Sequence, residues 1–181
     1  MTEQELEKLK YPIGRFQMEE IFNPESYAGW SNTIIGFPEK LEEEMDGLEE
    51  EEYRYRYRPE GWTVLQVIHH LADSHMNALI RFKLTLTEDE PVIKPYQEAK
   101  VAELSDSLFS PPESSLLILT GLHQRWGQLL GSMHAEDFQR SYFHPEYQKS
   151  FRLDVALALY AWHCRHHLEH IRQAKRLGNT F

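Results

Sequence analysis

The stretch VLQVIHHLADSHMNALIRFKLTL, residues 64–86, decides the fold. Val64, Val67, Ile68, Leu71, Ala78, Leu79 and Phe82 recur at helical spacing and share one face, which is the pattern of an amphipathic helix with a single buried stripe. Thr63, just after the Gly61–Trp62 turn, is the expected N-cap. Proline and glycine punctuation marks off three further stretches of the same periodicity. One runs from Pro24 to Leu48, with Asn23 as its cap and Pro38 as a kink or break. Another covers Pro112 to Met133, opened by SPPESS, and the last extends from Leu153 to Leu177, ending near Gly178. Four long helices with few strand-like stretches predict an all-α protein, an antiparallel four-helix bundle with long crossover connections. Connections of that length, 87–111 and 134–152, are usually functional or carry minor secondary structure of their own.

Composition narrows the functional classes. With 181 residues, 41% apolar and 27% charged, the chain suits one domain spanning 1–181, with residues 1–22 as an N-terminal arm. A single cysteine, Cys164, excludes an intrachain disulfide framework. No apolar run approaches the roughly 18–20 residues of a membrane span, and the opening MTEQELEKLK has no apolar signal-peptide core. A cytoplasmic protein without membrane partners is expected. The net charge of −10 is concentrated in LEEEMDGLEEEE (41–52), whereas nucleic-acid binding needs a basic face. The basic cluster RYRYR (54–58) directly follows those glutamates and reads as an extended connector with partly paired charges. A small-molecule partner fits better than a nucleic acid.

Histidine is the residue whose placement suggests chemistry. WHCRHHLEH (162–170) holds four of the ten histidines. At about 100° per residue, His163 falls in the middle of the stripe formed by Ala156, Leu159, Tyr160, Ala174 and Leu177. His167 lies about 40° to one side and His170 about 20° to the other, with His166 on the flank. His163 and His167 are therefore the best-centred pair. Their i, i+4 spacing stacks two imidazoles on one helix face, where both can reach one metal ion. Burying several neutral imidazoles without partners is costly, which favours a metal over a merely packed stripe. A third ligand would come from the 64–86 helix. His75 sits near the centre of its apolar face, while His70 lies in a polar line with Ser74, Asn77 and Arg81. That line reads either as a solvated face or as a wall looking into a cleft between helices. Periodicity does not choose between His70 and His75.

GWTVLQVIHHLADSHMNALIRFKLTLTE (61–88) and LYAWHCRHHLEHI (159–171), with YPIGRF (11–16), PYQEA (95–99), HQRW (123–126) and FHPE (143–146), resemble the DinB/YfiT-like superfamily over nearly the whole chain. The likeness is to its YfiT subgroup, described as metal-dependent hydrolases. The resemblance implies a four-helix bundle holding one divalent ion through three histidines, one on the second helix and two on the last. By motif position these are His70, His163 and His167. It further implies zinc, or nickel as the second choice, in a cytoplasmic homodimer. Where many relatives carry Gln three residues after the last ligand, this chain has His170, expected to orient His167 rather than to bind the ion. Ser74, Asn77 and Arg81 are expected to support the ligands in the same way.

The expected reaction is hydrolysis, with the ion activating water. Asp73, His144 and Glu146 are the candidates for a general base, whereas Glu169 points off the stripe. The alternative is a metal-dependent thiol S-transferase of the bacillithiol or glutathione type. The ion would then lower the pKa of a thiol, and Arg81, otherwise a surface arginine, would bind a carboxylate of the thiol. A third reading is a non-enzymatic metal-binding or stress-response dimer. Cys164 lies about 100° from the histidine stripe and reads as a packing residue at the helix edge.

Overall fold

The computed structural model describes residues 1–17 and 23–181. In the N-terminal arm, helix α1 (Glu3–Lys10) is closed by a Thr2–Glu5 capping box; residues 18–22 of the arm lie outside the described residues. Helix α2 (Pro24–Ile35) starts at Asn23, whose side chain accepts from the Ser26 amide, with Pro24 at the first helical position. The chain breaks at Gly36 and resumes as α3 (Phe37–Met45), with Pro38 in its first turn. The expected Pro24–Leu48 helix is thus two helices, and the break precedes the proline because its ring and missing N–H disrupt the preceding turn. Helix α4 (Val64–Thr87) is capped by Thr63 and Gln66, each side chain reaching the other's amide.

Two short helices, α5 (Glu98–Val101) and α6 (Ser105–Phe109), interrupt the connection to α7 (Pro112–Ser132). Before α8 (Leu153–Leu177), the strands β1 (Ser141–His144) and β2 (Lys149–Arg152) pair antiparallel, with Tyr142 opposite Phe151. This hairpin adds a small sheet to the all-helical expectation. The preceding connector runs beside it, Ile93 N donating to Phe143 O and Phe143 N to Pro91 O. Arg140 ties both to the bundle by donating to the carbonyls of Thr85 and Glu88 at the end of α4, where helical carbonyls lack regular donors.

The four-helix bundle is α2–α3, α4, α7 and α8. Helices α4 and α2 each pack against both α7 and α8, so consecutive long helices are not simply neighbours and the chain crosses the bundle between them. Ile34, Phe37, Leu41, Ile68, Leu71, Phe82, Leu119, Trp126, Leu157 and Ile171 fill the core. Among the described residues no helix is long and apolar enough to cross a membrane. The RYRYR segment is short and irregular: Arg54 pairs with Glu50 at 3.7 Å, while Arg56 and Arg58 donate to the nearby carbonyls of Gly61 and Pro59.

Candidate metal centre

The α4–α8 contact brings His70, His163 and His167 together, with one donor atom from each ring within 4.8 Å of the others. His70 Nε2 lies 3.2 Å from His163 Nε2. Two nitrogens bound tetrahedrally to one zinc at 2.0–2.1 Å would stand about 3.3 Å apart, so the donor set fits a divalent ion. The other candidate on α4, His75, is fully buried and meets the opposite edge of His163, Nε2 to Nδ1 at 3.1 Å. It therefore stands behind the trio. Trp62 packs against His70 with ring centroids 4.7 Å apart.

Burial keeps these rings neutral, the state in which imidazole binds metal. Desolvation, then the neighbouring imidazoles, holds His163 and His167 well below the ordinary imidazole range. The same cause, followed by His166, brings His70 down to about 4.

The trio opens into a cleft of about 1520 Å³ that is also lined by Ser74, Arg81, His144, Glu146 and Tyr160. Its walls come from the two long connectors, the hairpin, the end of α1 and the RYRYR segment. Of the polar line on α4, Ser74 and Arg81 face the cleft, Arg81 donating to Tyr160 Oη at 3.3 Å. Asn77 instead donates to the Asp73 carbonyl. Asp73 does not line the cleft, and its carboxyl is raised by burial and by nearby Asp106 of α6. His144 is buried on β1 and Glu146 is exposed in the hairpin turn, both on the cleft wall.

His170 is buried beside His167, with the two Nδ1 atoms 3.3 Å apart. His166, on the flank of the stripe, also faces the cleft, stacked between Trp162 and Tyr11. Cys164 is buried in the core, as its position off the stripe suggests, and Glu169 pairs with Arg176 at 2.7 Å. Sequence reasoning misses Glu98, Tyr96, Tyr142 and Arg58 as cleft residues. The first two sit within PYQEA, a motif visible in the sequence but assigned no role, and no periodicity marks any of the four.

The model of the DinB superfamily matches residues 36–171, and the chain belongs to that superfamily. A Bacillus subtilis (strain 168) protein named "Putative metal-dependent hydrolase YfiT" is 42% identical over 171 residues, covering 94% of this chain and 96% of its own. A protein from Bacillus cereus (strain B4264) with the same functional name is 45% identical over 171 residues, covering 94% and 98%. The solved structure of Bacillus subtilis YfiT, described as a "probable metal-dependent hydrolase with an unusual four-helix bundle topology", superposes with a TM-score of 0.91 at 42% identity. It covers 93% of this chain and 97% of that one.

Proposed function

We propose that the protein is a metal-dependent hydrolase acting on a small molecule, with a divalent ion held by His70, His163 and His167. The observation that carries this reading is the 3.2 Å approach of two partly buried imidazole nitrogens, with a third imidazole beside them, at a large cleft. The names of the relatives support it. An ion bound there supplies Lewis acidity toward water and toward a carbonyl or phosphoryl oxygen. The chain does the rest. Trp62 and the Trp162–His166–Tyr11 stack give the cleft aromatic walls that limit water around a bound substrate. Arg81, steadied by Tyr160, offers a guanidinium for an anionic substrate group. His144 and Glu146 are the proton carriers on the cleft wall. Zinc is our first choice of ion and nickel the second, since imidazole donors suit both. A cytoplasmic homodimer completes the proposal.

Screening the zinc- and nickel-loaded chain against amides, carboxylic esters and phosphate esters tests the reading. Turnover that a chelator abolishes and the ion restores is expected. Turnover unaffected by chelation in any of these classes, or none in any class by fully loaded protein, would contradict it.

A second reading, thiol S-transfer, is favoured by the cationic side chains in the cleft together with the exclusion of Cys164 from it. Lys10, Arg58, Arg81 and Lys100 line the cleft, and the chain's own thiol is buried away from it. The nucleophile must then come from outside, as water or as an added thiol with anionic groups. Loss of an electrophile only when a thiol is present identifies transfer. Turnover without any thiol identifies hydrolysis.

A further inference from the structure

We propose that His75, His123 and His170 are positioning residues: they form two hydrogen-bond relays that fix the tautomers of His163 and His167, so that both ligands turn a bare Nε2 toward the ion. The inference rests on the three-histidine reading above and adds residues that reading does not need.

The first relay runs from His163 Nδ1 to His75 Nε2 at 3.1 Å, from His75 Nδ1 to His123 Nε2 at 2.8 Å, and from His123 Nδ1 to the Ile34 carbonyl at 2.5 Å. A neutral imidazole has one N–H and one bare nitrogen, whereas a carbonyl only accepts. The carbonyl at the end therefore sets every step. His123 carries its proton on Nδ1 and accepts at Nε2, so His75 must donate from Nδ1 and accept at Nε2. His163 must in turn donate from Nδ1, which leaves its Nε2 bare. That is the atom 3.2 Å from His70 Nε2.

The second relay follows the same logic. His170 Nε2 donates to the Lys10 carbonyl at 3.1 Å, and its Nδ1 lies 3.3 Å from His167 Nδ1. His170 therefore accepts at Nδ1, His167 donates from Nδ1, and His167 keeps Nε2 bare for the ion.

Local sequence explains why each relay ends where it does. The regular helical donor to the Ile34 carbonyl would be the N–H of residue 38, which is Pro38 and has none. The proline that breaks the first long helix thus frees the acceptor that His123 takes. Lys10 is the last residue of α1, where carbonyls lack intrahelical partners. Gln173 holds the neighbouring Leu9 carbonyl at 2.9 Å and the Tyr57 carbonyl at 2.8 Å, and the Tyr57 ring stacks on His170 at 3.8 Å. Helix α1 thereby becomes part of the ligand support.

The test uses the full chain with histidines labelled with nitrogen-15, once metal-free and once loaded with Zn²⁺. Long-range proton–nitrogen correlation reads each tautomer. In the metal-free protein, His163, His167, His75 and His123 should carry the proton on Nδ1, and His170 on Nε2. The paired measurement is Zn²⁺ affinity by chelator competition. His75→Leu and His170→Leu should each weaken binding about 10- to 100-fold. His75→Gln and His170→Gln should stay near wild type, because an amide accepts through its oxygen and donates through its nitrogen.

Finding His163 or His167 protonated on Nε2 in the metal-free wild type overturns the proposal. So does wild-type affinity in either folded Leu variant, or equal weakening in the Gln and Leu variants, which would mean packing alone. If a Leu variant does not fold, the wild-type tautomers and the Gln variants decide. A wild type that takes up no Zn²⁺ overturns the three-histidine reading, and the role assigned to the relays falls with it. Wrong tautomers in a chain that does bind Zn²⁺ overturn the relays alone.

Discussion

His70 Nε2 and His163 Nε2 face each other at 3.2 Å, 93 residues apart in the chain, across the contact between α4 and α8. Both rings are largely taken out of water by their neighbours, Trp62 against His70 and His75 against His163, and among the described residues neither is paired with a carboxylate. Such a pair is costly to charge and well suited to bind a cation through both lone pairs.

Burial brings His70, His123 and His166 down to about 4 and His170 to about 3, against about 6.5 in an unfolded chain. Above that unfolded value both states are neutral and the histidines impose no penalty. As pH falls below it, the unfolded chain takes up protons that the folded chain refuses, so stability drops until the folded rings titrate. The Tm of the metal-free protein should be level above about pH 7 and should fall between about 6.5 and 4. A Tm that stays flat or rises over that interval would show that these rings are not buried neutral.

The single thiol should be silent. Cys164 is buried in the core, and burial raises its pKa far above the ordinary thiol range. Iodoacetamide should leave the native protein unlabelled and modify it only after unfolding, and Cys164→Ala should keep the full metal content. Rapid native labelling would place the thiol at the surface and reopen it as a nucleophile.

Asp154 separates scaffold from site. Its carboxylate is fully buried at the start of α8 and accepts from Arg152 at 2.7 and 3.1 Å, Gln139 at 3.2 Å and the Val155 amide at 2.7 Å. Asp154→Ala should cost about 2 kcal/mol, roughly 4–8 °C in Tm for a chain of this size. Because these contacts lie two turns or more from the trio, metal content should not change. Loss of the ion in the folded variant would tie the anchor to the centre.

Much of this was legible in the residues. The period of 64–86 and its Thr63 cap define α4 to within a residue, and the last stretch matches α8 from Leu153 to Leu177. The stripe on α8 centres His163 and His167 because one helix face must look inward whatever it packs against. The choice between His70 and His75 was not legible from periodicity, because both faces of α4 are covered, one by α7 and one by the cleft-side contact with α8. His75 looks like a buried ligand until His123, contributed by α7, is seen behind it. The cleft walls were hidden for another reason. They belong to connectors whose shape depends on tertiary hydrogen bonds such as those from Arg140 to Thr85 and Glu88, and no local period encodes those. Asp73, about 60° from the His70 wall by residue count, does not line the cleft, because which residues beside that wall reach it depends on the connectors packed over the helix.

The most direct measurement is the metal content of protein purified without a metal-affinity tag, with His70→Ala, His163→Ala and His167→Ala run beside the wild type. About one divalent ion per chain is expected in the wild type, with its loss in each folded variant. A wild-type chain that is folded yet metal-free, and that takes up no Zn²⁺ or Ni²⁺ when offered, would contradict the three-histidine reading.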